Sequence, residues 1–165
     1  MAVSEWNDRN SKNLCRNGYT EFPGEEVIPE SGRSAILSLR LDHNRIGFIP
    51  PEIKAFRSLV ILDIGNNGLS HISVELSQLT QLQVLIAKNN NLDNDSVPKS
   101  FDQLQSLVDV NFGGNNFTEF PPQLVHMSKI QKLSLGSNRI REIPSTIEHM
   151  RRWVVREICC FFRLV

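Results

Sequence analysis

The sequence predicts an α/β solenoid, a curved stack of coils with a parallel sheet on its concave face and short helical segments outside. Aliphatic positions return every 23 to 25 residues, an asparagine returns at the same point of each unit, and a short alternating pattern typical of a strand precedes that asparagine. A single coil of this size cannot bury its apolar edge alone, so stacked neighbours must bury it together.

Five units follow one frame, numbered here from the first aliphatic residue of each unit, which is Ile36 in unit one. Positions 1, 4, 6 and 11 are apolar throughout, and Ala87 is the only small residue at position 6. Unit three carries two extra residues within 92–98. Position 9 is Asn44, Asn67, Asn90, Asn115 and Asn138.

The frame LxxLxLxxNxL with a variable second half resembles the leucine-rich repeat family, and the 23-residue unit with an Ile-Pro or Phe-Pro step resembles its intracellular class. Three segments follow from the frame. Residues 1–35 form an N-terminal flank with a partial repeat, 36–150 form five leucine-rich repeats, and 151–165 form a non-repeat hydrophobic tail. The partial repeat places Leu14 at position 6 and Asn17 at position 9.

Each element of a coil has its own sequence signal. The alternating triplets predict strands at 39–41, 62–64, 85–87, 110–112 and 133–135. Pro51, Pro122 and Pro144 suit the first turn of short outer helices. Residues 24–35 are predicted to be a loop, because Gly24, Pro29 and Gly32 interrupt regular structure.

The recurring asparagines have a structural explanation. After position 8 the backbone leaves the strand and loses its ladder partners, and a carboxamide supplies both donors and an acceptor to replace them. We therefore expect Asn67, Asn90 and Asn115 to be buried and hydrogen-bonded.

Two interpretations of the tail stay open. Arg156 falls where the frame needs a core residue, and Phe161 falls where it needs asparagine, so 151–165 is not a sixth repeat. The apolar residues from Ile147 to Val165 follow a helical period, which favours a helix across the end of the stack. Alternatively, the tail replaces further repeats in a shortened form of the chain. At the other end, Trp6 and the partial repeat are expected to shield the stack.

The strand positions between core residues are expected to face solvent on the concave side, where an apolar centre is surrounded by charges. This arrangement is typical of a protein-binding surface. Two simpler explanations stay open. β-branched residues favour strands whether or not a partner binds, and charges such as those of Arg40 and Asp63 also fit pairing across neighbouring strands. Gly113, Gly114 and Gly136 leave part of the face bare, either for a partner backbone or as tolerated small residues. The candidate partner-binding residues are Arg40, Ile61, Asp63, Val84, Ile86, Lys88, Asp109, Asn111 and Lys132.

Composition argues against several classes of protein. Lys plus Arg and Asp plus Glu each number 18, and the predicted face carries both signs, which is not typical of nucleic-acid binding. No apolar run is long enough for a signal peptide or a membrane span, so we expect no membrane insertion. Three cysteines, two of them adjacent, make a poor disulfide framework and favour the cytoplasm, with the nucleus as the alternative.

The sequence carries no recognisable catalytic or ligand-binding constellation. The four histidines have no cysteine at metal-ligand spacing. A triad of His43, Asp63 and Ser134 fails because Ser134 lies three coils from Asp63, roughly 14 Å at the usual strand spacing. We therefore expect no enzyme activity, no cofactor, no metal and no small-molecule substrate.

The resulting prediction is a non-catalytic protein–protein interaction module, a scaffold of the kind used in signal transduction, that binds another protein on its concave face. The resemblance to leucine-rich repeat proteins implies two alternatives. One is the substrate-receptor subunit of a cullin-type ubiquitin ligase, for which the tail around Cys159 lacks the leucine of an adaptor-binding box. The other is a signalling scaffold for a small GTPase pathway.

Overall fold

In the computed structural model, which describes residues 10–145 and 147, each repeat unit forms one coil, and the coils stack in sequence order. Six parallel strands, each paired with the strand of the neighbouring coil, build the main sheet, which confirms the predicted fold class. Trp6 and the tail at 151–165 lie outside the described residues. The strands are β1 (Ser11–Asn13), β2 (Ser38–Arg40), β4 (Ile61–Asp63), β6 (Val84–Ile86), β7 (Asp109–Asn111) and β8 (Lys132–Ser134).

The strands begin one residue earlier than predicted. Each covers positions 3 to 5 of its unit, because the position-3 amide already pairs with the preceding coil: Ile61 N–H donates to Leu37 O at 3.0 Å. The predicted last residue still takes part in the pairing, since Leu41 N–H donates to Asp63 O at 2.7 Å. The sequence pattern marked the buried side chains correctly and the strand ends incorrectly.

The N-terminal flank continues the stack instead of merely covering it. β1 pairs in register with β2, and Leu14, Tyr19 and Phe22 pack half-buried against the core. The predicted loop at 24–35 is partly wrong, because Glu30–Arg33 forms a short helix, α1. Arg33, the last residue of this helix, is held by two contacts. Its Nε donates to Ile28 O at 3.1 Å, and its guanidinium lies 5.9 Å from the Phe56 ring centroid.

Short 3₁₀ helices lie opposite the main sheet in units one to four. Pro51 and Pro122 begin two of them, as predicted, and Ile147 N–H donates to Pro144 O at 3.0 Å in the corresponding turn of unit five. A second, two-stranded parallel sheet, which the sequence did not predict, joins β3 (Phe48–Ile49) to β5 (His71–Ile72). The 3₁₀ helices are Pro51–Ala55, Val74–Gln78, Lys99–Gln103 and Pro122–His126.

Side-chain hydrogen bonds anchor the two extra residues of unit three. Ser96 Oγ donates to Ser70 O of unit two at 2.8 Å. Asn94 reaches the other way, where its Oδ1 accepts from Thr118 N–H at 3.1 Å and its Nδ2 donates to Thr118 Oγ1 at 2.7 Å. The insertion therefore ties unit three to both neighbours without continuing the second sheet.

A large residue in the neighbouring coil compensates for the one small residue at position 6 of the core. Ala87 is fully buried, and the equivalent residue of unit four is Phe112. The Phe112 ring lies 5.9 Å from the Phe101 centroid and 5.5 Å from the Phe117 centroid. Volume lost in one coil is thus offset in the next, which keeps the interior closely packed.

A ladder of asparagine carboxamides joins each coil to the one before it. In Asn90, Nδ2 donates to Ala87 O of its own coil at 3.1 Å and to Ile64 O of the preceding coil at 3.0 Å. Its Oδ1 accepts from Leu69 N–H, also of the preceding coil, at 3.0 Å. The same three bonds recur at Asn44, Asn67, Asn115 and Asn138.

Each position-6 carbonyl from unit one to unit four therefore receives two carboxamides, one from its own coil and one from the next. Ile64 O, for example, accepts from Asn67 at 3.1 Å and from Asn90 at 3.0 Å. The prediction of buried, bonded side chains is confirmed for Asn90 and Asn115, which are 7% and 6% exposed. It is wrong on burial for Asn67, which is partly exposed although fully bonded.

We predict that Asn90→Leu lowers the free energy of unfolding by about 1–3 kcal/mol, because it leaves buried backbone groups of two coils without partners. Urea denaturation followed by circular dichroism measures the change. The matched control is Asn91→Leu at the adjacent exposed position, which is expected to stay within about 0.5 kcal/mol of wild type. Equal stability of the two variants would contradict the ladder's role.

Candidate protein-binding face

The apolar centre predicted on the concave face forms one continuous patch across β4 and β6. Ile61 and Val84 are register partners, and Ile86 lies two residues beyond Val84 on the same side of the sheet. All three side chains are half-buried, so each still presents apolar surface to solvent. We call Ile61, Val84 and Ile86 the apolar patch.

The charged residues around the apolar patch differ in exposure more than the sequence suggested. Arg40 and Lys88 are exposed. Asp63 is only 8% exposed, and Ser38 only 5%, so the expectation that their side chains face solvent is wrong. Asp63 is withdrawn because its Oδ1 accepts from Gly65 N–H at 3.0 Å in the turn after its own strand.

Cross-strand pairing also differs from the simplest expectation. Arg40 and Asp63 are register partners, yet they form no ion pair. The pair that does form joins Lys132 Nζ to Asp109 Oδ2 at 3.5 Å, where the side chains are 60% and 28% exposed. Asn111, the fourth-unit counterpart of Asp63, accepts from Gly113 N–H at 3.0 Å in the same way.

The buried position of the Asp63 carboxyl affects its pKa. It raises the pKa above the ordinary 3.8, and the negative charge of Asp42 adds to the rise. The Gly65 N–H and the cations Arg40 and Lys88 act in the opposite direction without cancelling it. Asp63 is therefore a buried carboxyl group whose ionisation lowers the stability of the folded chain.

Cys15, Asp42 and His43 form a hydrogen-bonded cluster at the N-terminal end of the face, which sequence reasoning missed. The Cys15 thiol donates to Asp42 Oδ1 at 2.7 Å, and His43 Nδ1 lies 2.8 Å from Asp42 Oδ2. Burial, and then the bond to Asp42, raise the pKa of Cys15 to about 11. The repeat frame contained the signal, because Cys15 and Asp42 both occupy position 7 of adjacent units.

The Asp42 carboxyl itself stays ionised. Burial alone would raise its pKa, but the hydrogen bonds from Cys15 and His43 outweigh burial and lower the pKa below 3.8. A protonated thiol beside an ionised carboxylate is not an activated nucleophile. The cluster therefore joins the first two coils of the sheet without resembling a catalytic site.

Positions 7 and 8, which the sequence placed on the concave face, lie past the end of each strand, and the backbone bends at position 8. His43, Asn66, Asn89 and Ser137 at position 8 have φ between 52° and 57°, and Gly114 has φ 68°. A Cβ at Gly114 would overlap Asn89 Oδ1, and one at Gly113 would lie 3.3 Å from Gly136 O. Gly113 and Gly114 therefore fit closely against neighbouring coils of this chain, a local role that differs from both interpretations, a bare surface for a partner backbone and tolerated small residues.

An outer cleft of about 420 Å³, which the repeat pattern did not predict, lies next to the second sheet. Its walls include Phe48 and Val74, which are 52% and 56% exposed, together with Pro98 and Lys99. It lies beside the 3₁₀ helices rather than on the main sheet and is separate from the apolar patch.

Within residues 10–145 and 147, no three His, Cys, Asp or Glu side chains are placed to share a metal ion. No helix in the same part of the chain is long and apolar enough to cross a bilayer.

Comparisons with known proteins agree with this geometry. A family model described as Leucine rich repeat matches residues 35–92. Over these residues the chain has the leucine-rich repeat pattern. It is 41% identical over 106 residues to leucine-rich repeat-containing protein 58 of Xenopus tropicalis, a match that covers 64% of this chain and 30% of that protein. The chain thus spans less than a third of the length of this curated relative.

Solved structures show the same fold. A leucine-rich repeat protein of Leptospira interrogans superposes with a TM-score of 0.71 at 26% identity, covering 88% of this chain and 36% of that one. The ectodomain of the Arabidopsis thaliana membrane receptor kinase GASSHO1/SCHENGEN3 reaches a TM-score of 0.64 at 29% identity, covering 74% and 15%. That ectodomain was solved in complex with CASPARIAN STRIP INTEGRITY FACTOR 2. Leucine-rich repeat stacks are generally protein–protein interaction modules and typically lack catalytic activity.

We predict that the folded chain protects Cys15 from alkylation. A pKa of about 11, against an ordinary value of 9.0, lowers the thiolate fraction at pH 8 about 100-fold. Iodoacetamide labelling, followed by mass spectrometry of the Cys15 peptide, measures the rate, with the urea-unfolded chain as reference. Asp42→Asn removes the negative charge and should speed labelling of the folded chain. Equal rates in the folded and unfolded wild-type chain would contradict the prediction.

We predict that Asp63→Asn stabilises the chain at pH 7, because the amide keeps the acceptor for Gly65 N–H without a buried charge. The folded-state pKa of Asp63 is raised, so wild-type stability is full below the unfolded value of 3.8 and falls as pH rises through the folded value. The gain in melting temperature should therefore shrink toward zero as pH falls to the unfolded value of 3.8. Asp109→Asn is the control and should bring no gain, since Asp109 is paired with Lys132.

Proposed function

We propose that this chain is a non-catalytic module that binds another protein through its concave face. The observation that carries the proposal is the apolar patch, which lies on a rigid sheet whose coils are joined by backbone pairing and by the asparagine ladder. Half-buried aliphatic side chains on a fixed surface lose little entropy when a partner covers them. The charged residues around the patch supply the polar rim of such an interface.

The solved neighbours support a protein partner. The receptor kinase ectodomain that shares this fold is held in complex with a named factor, and PEPR1, which superposes with a TM-score of 0.66 at 27% identity, was solved with AtPEP1. We propose that this chain also binds a protein partner, on its concave face, with Ile61, Val84 and Ile86 as the centre. Absence of nucleic-acid and small-molecule ligands remains part of the proposal.

The test is affinity purification from cells with the wild-type chain and with the triple variant Ile61→Ala, Val84→Ala, Ile86→Ala. The variant should reduce the recovery of specific partners about tenfold or more, because central apolar contacts dominate interface energy. Quantitative mass spectrometry measures recovery, and the melting temperature of each purified chain confirms folding.

The matched control removes apolar surface elsewhere. Phe48→Ala with Val74→Ala truncates the two most exposed large apolar residues of the part of the chain that the structure describes, and both line the outer cleft. This variant should retain the partners. Retention of the partners by a folded triple variant would refute the concave-face proposal, and their loss in the Phe48 and Val74 variant would move the interface to the outer cleft.

The captured proteins also decide between the narrower roles. An adaptor or cullin subunit would assign a ubiquitin-ligase receptor, and a small GTPase or its regulators would assign a signalling scaffold. We further propose that the protein acts in the cytoplasm or nucleus, on the basis of its cysteine count. Fluorescence microscopy of the tagged chain tests the location.

A further inference from the structure

We propose that the concave face selects an acidic, apolar polypeptide segment, in which carboxylates flank an aliphatic or aromatic side chain. This inference rests on the proposed function, since it names the chemistry of the partner at the same surface. Its basis is a difference in accessibility between the cations and the carboxylates of the face.

The carboxylates of the face are engaged within the chain. Asp42 accepts from the Cys15 thiol and contacts His43, and its side chain is 17% exposed. Asp63 is 8% exposed and accepts from Gly65 N–H. Asp109 is paired with Lys132, and its side chain is 28% exposed. A partner therefore meets little accessible negative charge.

The cations next to the apolar patch are placed differently. Arg40 and Lys88 are exposed, and neither lies within 4.0 Å of a carboxylate in the described part of the chain. Lys88 follows Ile86 by two residues, and its Cγ passes close over Gly65, 3.2 Å from where a Cβ would stand. The missing side chain at Gly65 thus leaves room for the Lys88 stem beside the apolar patch.

The spacing fits a short extended or turned segment. Arg40 lies two strands from Ile86, about 10 Å at the usual strand separation, and Lys88 lies about 7 Å from it along the chain. An apolar side chain seated on Ile61, Val84 and Ile86 would place carboxylates two or three residues away within reach of both cations. Desolvated charge pairs at the edge of an apolar contact increase specificity and the association rate.

The experiment is a selection of random 12-residue peptides displayed on phage, with the purified full chain as target. Four targets are compared: wild type, Arg40→Glu with Lys88→Glu, the triple alanine variant of the apolar patch, and a charge-matched control. The control is Arg57→Glu with Lys99→Glu, which reverses an exposed arginine in the turn after Pro51–Ala55 and the exposed lysine that begins Lys99–Gln103, both away from the sheet. Melting temperatures confirm that all four targets are folded.

Wild type and the charge-matched control should enrich peptides with Asp or Glu beside Leu, Ile, Phe or Trp. A selected peptide should bind the Arg40 and Lys88 variant about tenfold more weakly or worse, and raising salt from about 50 to about 500 mM should weaken wild-type binding. The Arg40 and Lys88 variant should itself enrich basic, apolar peptides. The triple alanine variant should enrich neither kind.

Each other outcome overturns something definite. Uncharged apolar peptides that bind equally to the Arg40 and Lys88 variant, but not to the triple variant, would refute this inference and leave the proposed function intact. Peptides that bind the triple alanine variant as tightly as wild type would refute both the inference and the proposed function. No enrichment on wild type would refute the inference. If the wild-type chain binds poly(U) RNA and the Arg40 and Lys88 variant does not, the partner of this face would be a nucleic acid instead of a peptide, and the inference would be refuted.

Discussion

The hydrogen bonds of one asparagine per coil hold this structure together. At the point where the chain leaves the sheet, backbone groups of two adjacent coils lose their strand partners, and a single carboxamide satisfies groups in both. The position-6 carbonyl between two asparagines uses both of its lone pairs. The apolar side chains can pack closely beside the turning backbone because the carboxamides pair its polar groups.

The recurring residues made the fold predictable, whereas the elements that depart from the recurrence could not be predicted. Five asparagines at a near-constant interval fix the stacking and the buried positions. The strand pair of β3 and β5 was missed because it spans two residues in two units, where the insertion in unit three ends the pattern. The helix Glu30–Arg33 was missed because Gly32 interrupts any helical signal in so short a segment.

The candidate site was predictable in position and not in accessibility. The columns of the repeat placed Ile61, Val84 and Ile86 together, as the strand register shows. The sequence alone counts charges and does not reveal which are covered. Asp63 is withdrawn by a turn amide of its own coil, and Asp42 is covered by a thiol 27 residues away. Those bonds turn a face of formally mixed sign into one that presents cations.

The sameness of the coil interfaces bears on how such a chain lengthens in evolution. Duplication of one 23-residue coil copies its asparagine and its carbonyl together, so the copy stacks by bonds that already exist. Extra residues within a coil are tolerated on the outer side, as Asn94 and Ser96 illustrate. A coil duplicated between Arg40 and Lys88 would part the two cations by one further strand spacing, about 4.8 Å. Copy number would then set the length of the ligand.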